Sequence, residues 1–302
     1  MIDLGRLRAL HAVASYGTVL AAGQALRCTP SAVSQQISKL ERETGSALVE
    51  KDGRRLRLTE AGQLLADHAE RVLTSLDEAE AALAAHRDTV TGRLTISTFA
   101  TACRALLPHA LRTLTTDHPG LGISVIEVNP HEGVEMLRRG HVDLAVLDDW
   151  PEVALRYPDG VRKVTLGDDH ADLIVPSDHR LAGEATLEDA RHERWIGVRA
   201  GDVCYEYLIR SLPGVIPDFQ VGEFETQLTL IAAGLGVGLI PRLARAALPP
   251  GTRAVRITPA PTRRVVLAWR DSAAARPAIR AAEQALREAW RINQERQALL
   301  VR

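Results

Sequence analysis

The chain has 302 residues, of which 46% are hydrophobic and 25% charged; that is enough for two or three domains and excludes a disordered, collagen-like or disulfide-scaffold protein. The net charge of -1 names no partner, but residues 1–62 hold nine Lys/Arg against six Asp/Glu, and a basic end on a mildly acidic body is the pattern of a chain with one nucleic-acid-binding domain. The longest nearly apolar run, Leu228 to Ile240, contains three glycines and falls short of the roughly 18–20 residues of a membrane span. No apolar signal core follows Arg6 and Arg8, so a cytoplasmic chain is expected.

Leu4, Leu7, Leu10, His11 and Ala14 fit one face of a first helix that Gly17 ends. Thr18 caps a short second helix to about Leu26, and small Ala21, Ala22 and Gly23 allow another helix to approach closely. Thr29 followed by Pro30 starts a third helix running to about Glu43. That helix has two faces. Val33, Ile37 and Leu40 should bury, while Ser31, Ser34, Gln35, Ser38 and Arg42 lie opposite. An ordinary solvated face carries more Glu and Lys; short hydrogen-bonding side chains suit base edges and phosphates in a major groove. Ala47 to Glu50 and Arg55 to Thr59 then read as strands around an Asp52-Gly53 turn. The cations Lys51, Arg54 and Arg55 at its tip suggest a wing that grips the DNA backbone, or else a solubilising turn.

Leu7 to Ala14, Gly17-Thr18 through Ala22 and Leu26, Ser31-Ala32-Val33-Ser34-Gln35-Gln36-Ile37 with Leu40-Glu41, and Arg54-Arg55-Leu56-Arg57-Leu58-Thr59-Glu60-Ala61-Gly62 together resemble the winged helix-turn-helix of LysR-type bacterial transcriptional regulators. Val19, Gly23, Val49 and Lys51 depart from that pattern, but none removes a groove-facing residue. The resemblance implies a sequence-specific DNA-binding regulator, not an enzyme, with residues 1–62 as the DNA-binding domain. Thr29, Pro30, Ser31, Ser34, Gln35, Ser38, Arg42, Lys51, Arg54 and Arg55 are its expected DNA contacts.

From Gln63 to Thr91 no glycine or proline occurs, and Leu65, Ala69, Val72, Leu76, Ala79, Leu83 and His86 recur at alternating spacings of four and three. That is a heptad seam, about 40 Å long if helical throughout. It is read as a linker helix over 63–91 that pairs two subunits rather than an intradomain helix. The resemblance implies the same, with a homotetramer beyond the homodimer. Two recognition helices tied by a twofold axis read two half-sites, so the operator should be an imperfect palindrome of double-stranded DNA.

After Gly92 strands and helices alternate. Strands are expected at Leu94–Ser97, Ile123–Val128 and Val142–Leu147, with helices from Thr101 to Asp117 and Glu132 to Arg139, which implies a parallel sheet with helices on both faces. A second α/β unit begins near Val164, with strands at Leu173–Val175, Trp195–Val198 and Phe219–Val221 and a helix near Thr226 to Ala233. A strand from Arg264 to Trp269 and a helix from Ala274 to Leu299 return to the first unit. Gly140 to Val146, Asp178 to Ala182 and Ala232 to Pro241 make this part similar to the family's two-lobed effector domain, which is like a periplasmic binding protein. The resulting division is 92–302, with lobe I at about 93–163 and 264–302 and lobe II at about 164–263.

In such folds a small-molecule effector sits at strand carboxyl ends and helix N-termini, which suit an anionic group. By position the candidates are Thr98, Phe99, Ala100, Thr101, Asn129, Arg199, Phe224 and Thr226. Arg199 could clamp a carboxylate or be an ordinary surface arginine, and Thr98 and Thr101 could equally be helix caps. Effector closure of the lobes, as the resemblance implies, would reorient the dimers. Asp148-Asp149 and Asp168-Asp169-His170 read as acidic pairs in turns. Gly234-Leu235-Gly236-Val237-Gly238 follows a helix and precedes a strand, the reverse of a dinucleotide fingerprint, and the histidines show no metal-ligand spacing, so no cofactor or metal is expected. Cys28, Cys103 and Cys204 fit reduced thiols; a redox pair between Cys103 and Cys204 would need Cα atoms within roughly 7 Å. The competing readings are an α/β enzyme with an appended helix-turn-helix, for which no nucleophile–base pair is found, and a constitutive DNA binder, which leaves the two lobes without a use.

Overall fold

The computed structural model describes residues 2–52, 55–86, 90–245 and 247–300. The chain divides into two compact units, Met1–Leu83 and Ala84–Arg302.

The first unit opens with three helices, α1 (Leu4–Tyr16), α2 (Val19–Leu26) and α3 (Pro30–Thr44). Asp3, Thr18 and Thr29 cap them, each side-chain oxygen accepting from the backbone N–H three residues on, at 3.1, 3.1 and 3.2 Å. Gly17 and Gly45, both in the left-handed region, end α1 and α3. The buried side of α1 is wider than the sequence pattern suggests. Ala9, Ala12 and Val13 join Ala22, Val33 and Ile37, while Leu10 joins Leu40, Leu48 and Ala66 in a second cluster. A helix with neighbours on two sides buries two stripes, so Leu4 and His11 are left half-buried.

β1 (Val49–Asp52) and β2 (Arg55–Leu58) form an antiparallel hairpin, Val49 opposite Leu58 and Asp52 opposite Arg55. Glu41 pins it to α3: its carboxylate accepts from the Leu48 and Val49 N–H groups at 2.9 and 3.3 Å. α4 (Glu60–His86) starts three residues before the expected Gln63. Thr59 explains this: its hydroxyl donates to the Ala47 carbonyl at 2.7 Å and accepts from the Gly62 N–H at 3.0 Å. Gly62 crosses Leu48 so closely that a Cβ would stand 1.9 Å from the Leu48 carbonyl oxygen; no other residue fits without moving backbone. The helix is described to His86, and residues 87–89 of the expected linker lie outside the described residues.

The second unit contains β3 (Gly92–Thr98), α5 (Ala100–Ala105), α6 (Leu107–Asp117), β4 (Leu121–Glu127), α7 (Pro130–Arg138), β5 (Leu144–Asp149) and β6 (Val161–Pro176). It continues with β7 (Glu184–Ala185), β8 (Ile196–Val198), α8 (Val203–Ser211), β9 (Phe219–Val221), α9 (Phe224–Ala232), β10 (Gly238–Pro241), β11 (Thr252–Ile257), β12 (Thr262–Arg270) and α10 (Pro277–Leu300). One sheet runs β4-β3-β5-β12-β6-β11-β7, with β10 also on β6 and β8-β9 as a separate parallel pair. β3 pairs in parallel with β4 and β5, whereas β12 and β6 are antiparallel.

Three departures from the sequence reading have plain causes. The helix expected over Thr101–Asp117 breaks at Leu106, because Pro108 lacks an N–H and its ring crowds the carbonyl four residues back. The strand expected at Leu173 is the end of the 16-residue β6. Its first half pairs with β12 and its second half with β10 and β11, so one strand serves both lobes. Asp148, Asp149 and Asp169 are not in turns; they lie within β5 and β6 and are 2%, 2% and 1% exposed. Residues 234–237 connect α9 to β10, which Gly238 opens, and a Cβ on Gly236 would stand 2.4 Å from the Arg194 carbonyl oxygen.

Candidate DNA-reading face and ligand cleft

On α3 the buried stripe is Val33, Ile37 and Leu40. Ser31, Ser34, Gln35, Ser38 and Arg42 are all exposed, as are Thr29 and Pro30 at the helix start. The Arg42 Nε donates to the Ser38 carbonyl at 3.3 Å, which lays the guanidinium along the helix. Packing against α1 and α2 therefore fixes which side of α3 is presented. Of the hairpin-tip cations, Arg54 lies outside the described residues. Lys51 and Arg55 are placed by backbone alone, opposite Leu56 and Asp52.

In the second unit the carboxyl ends of β3, β4 and β8 open on a cleft of about 230 Å³. The segment after β3 contributes Phe99, Ala100 and Thr101, that after β4 contributes Val128, Asn129 and Pro130, and Val198, Asp202, Cys204 and Phe224 close the far side. Five of the eight expected ligand residues meet here: Phe99, Ala100, Thr101, Asn129 and Phe224. Thr98, Arg199 and Thr226 are not among the lining. Thr98 is buried, its hydroxyl turned to the Phe99 carbonyl at 3.3 Å. Thr226 is exposed on α9, which begins two residues earlier than expected. Arg199 is exposed, with its guanidinium beside Gly222 at the rim.

The floor of the cleft was not legible in the sequence. Arg263, 1% exposed on β12, stands between strands β5 and β6. Its guanidinium donates to Asp148, Asp169 and the Thr101 hydroxyl, each at 2.9 Å, and lies 5.1 Å from the Phe99 ring centre. Asp169 also accepts from the Leu243 N–H at 2.9 Å. Burial works against the Arg263 charge, but the Asp148 and Asp169 carboxylates outweigh it and raise its pKa above the usual guanidinium range. Burial raises the Asp169 pKa in turn, although Arg263 and the Leu243 N–H oppose it. Two carboxylates thus share one cation. Arg104, at the cleft mouth, is paired with Glu225.

The profile described as bacterial regulatory helix-turn-helix protein, lysR family, matches residues 4–63, and that of the LysR substrate binding domain matches 87–291. The chain belongs to the LysR family of transcriptional regulators. This LysR-type regulator is 30% identical to the HTH-type transcriptional regulator CfxR of Cupriavidus necator over 79% of its own length and 75% of that protein. It is 31% identical to a probable hydrogen peroxide-inducible genes activator of Streptomyces viridosporus over 96% and 95%. Full-length OxyR from Pseudomonas aeruginosa shares its fold, with a TM-score of 0.74 at 21% identity over 97% of this chain and 95% of that one. The regulator thus has the family's winged helix-turn-helix, linker helix and two-lobed α/β effector-binding domain. Among the described residues no helix is long and apolar enough to cross a membrane, and no group of three or more His, Cys, Asp or Glu could hold a metal ion.

Proposed function

We propose that this LysR-type regulator works in the cytoplasm as a dimer, and as a dimer of dimers, on an operator of two half-sites, under control of a small molecule in the cleft between the lobes. In this reading 1–62 is the DNA-binding domain, 63–91 the pairing helix and 92–302 the effector domain. The observation that carries it is the exposed Ser31, Ser34, Gln35, Ser38 and Arg42 face of α3. Ser31, Ser34, Gln35 and Ser38 face base edges, while Arg42, with Lys51, Arg54 and Arg55 of the wing, holds phosphates.

Two features support the assembly. Val72 and Leu83 on the α4 seam are 48% and 61% exposed, apolar surface that a second α4 would cover. β4 is an edge strand carrying exposed Val125 and Ile126, a surface for pairing through the effector domains. The lobes are joined by β6 and by the return from β11 to β12, so closure on a ligand bends about two strands. The effector shifts the assembly only as far as it binds the two arrangements differently.

Peroxide sensing, which the Streptomyces relative's name gives for that protein, is not proposed for this regulator. The thiolate is the reacting form of cysteine. Burial, then the Asp202 and Asp148 carboxylates, push the Cys204 thiol well up, even with the Arg263 guanidinium 3.9 Å from its sulfur.

Half-buried Leu76 tests the assembly. Leu76→Glu puts a charge into the seam and is expected to lower the sedimenting mass and weaken operator binding together. An unchanged mass would contradict pairing through α4.

A further inference from the structure

The second unit holds a larger cavity than the cleft between the lobes. It measures about 690 Å³ against about 230 Å³ for the cleft, and the two share no lining residue. Small-molecule sites span roughly 300–1,000 Å³. The cavity lies where the second half of β6 meets the turn after β10, the β7–β11 edge and the last turns of α10.

Its charges do not balance. Arg242, Arg245 and Arg256 line it against Asp172 and Glu184. Asp172, 4% exposed, is shared: Arg242 donates to it through Nε and Nη2, each at 2.9 Å, and Arg245 through Nη2. One buried carboxylate thus fixes two guanidinium groups in place but offsets the charge of only one. Glu184 accepts from the Thr258 hydroxyl. Arg256 stands opposite Glu184 in the strand ladder, yet the two form no ion pair. The Arg256 side chain is exposed and has no carboxylate within salt-bridge distance among the described residues.

Arg245 is the crowded member. Its Nε is buried without a hydrogen-bond partner. Burial lowers its pKa against the pull of Asp172, and the Arg242 charge lowers it further. A second anion beside it would favour the charged form. Leu248 and Ala254 supply apolar wall between the charges.

We propose that this cavity is a second ligand site, taking a small organic anion whose carboxylate or phosphate head group is held by Arg245 and Arg256 and whose apolar body lies against Leu248 and Ala254. The proposal does not depend on the reading of the cleft between the lobes. Gln297 of α10 lines the same cavity, so its ligand touches both lobes. Occupancy then shifts their arrangement as far as the ligand binds the two arrangements differently.

The test uses the full chain and four probes with one apolar body: phenylacetate and phenyl phosphate against the neutral phenylacetamide and the cationic phenethylamine. Binding is followed by titration and by thermal unfolding. Two variants at exposed positions locate the site. Arg256→Gln removes a charge without breaking an ion pair, and Ala254→Trp fills the cavity while leaving every charge in place. The expected result is that the anions bind and raise the melting temperature, whereas the amide and the amine do not. Arg256→Gln should weaken anion binding roughly tenfold, and Ala254→Trp should abolish it. The tighter of the two anions identifies the head group. Equal binding of the amide or the amine overturns the charge assignment. Anion binding that both variants retain in full overturns the location. No binding of any probe overturns the proposal.

Discussion

Replacing Arg263 with methionine is expected to destabilise the effector domain by about 3–5 kcal/mol, the usual cost of removing one partner from a buried ion pair. For a domain of this size that is a drop of about 10 °C in melting temperature. The cause is what remains. Asp148 and Asp169, 2% and 1% exposed, lose the cation that both depend on, and Thr101 loses its donor. All four tryptophans, Trp150, Trp195, Trp269 and Trp290, lie in the second unit, so their fluorescence in urea follows this domain.

The deficit should depend on pH. The Asp169 pKa is already raised by burial with Arg263 present, and in the variant it rises further. A carboxyl whose folded pKa lies above its unfolded one binds more protons when folded, so its stability falls as pH rises through the folded pKa. Arg263→Met should therefore cost less near pH 5 than near pH 8. The triple variant with Asp148→Asn and Asp169→Asn leaves no unpaired charge and should lose less than Arg263→Met alone. A triple variant as unstable as the sum of its parts would contradict the coupling.

The second large effect concerns DNA. Ser34→Ala with Gln35→Ala should lower operator affinity by 10-fold or more, since a good base contact is worth about 1–3 kcal/mol. Both side chains are exposed, so the fold should be unaffected within about 0.5 kcal/mol. Neither carries charge, so nonspecific binding and the salt slope should stay as they are. Arg42→Ala is the contrast: it should weaken binding to all sequences alike and flatten the salt slope by about 1. Operator affinity retained by the Ser34/Gln35 variant, or a base preference changed by Arg42→Ala, would reverse the two roles.

What the sequence disclosed is local. The caps Thr18 and Thr29, the Gly17 stop and the two faces of α3 depend on residues within a few positions of one another, and each stands where the pattern placed it. What it hid is distant. Asp148 and Asp169 look like turn acids because no cation lies near them in the chain; their partner is 115 and 94 residues on. Only the end of the long β6 reads as a strand, because the consecutive polar residues Arg162-Lys163 and Asp168-Asp169-His170 interrupt the alternation of its first half and its apolar run begins only at Leu173. Phe224 and Asn129 could be placed at the cleft from strand order alone, whereas Arg199, with no packing to hold it inward, lies exposed at the rim.

Sequence-specific DNA reading by α3 is tested by selection of bound DNA from a random pool by the full-length protein at stated salt, run beside the Ser34/Gln35 variant. The wild type should enrich an imperfect palindrome of two half-sites, and the variant should lose it. Enrichment of no motif, with only salt-sensitive binding to any duplex, would contradict it.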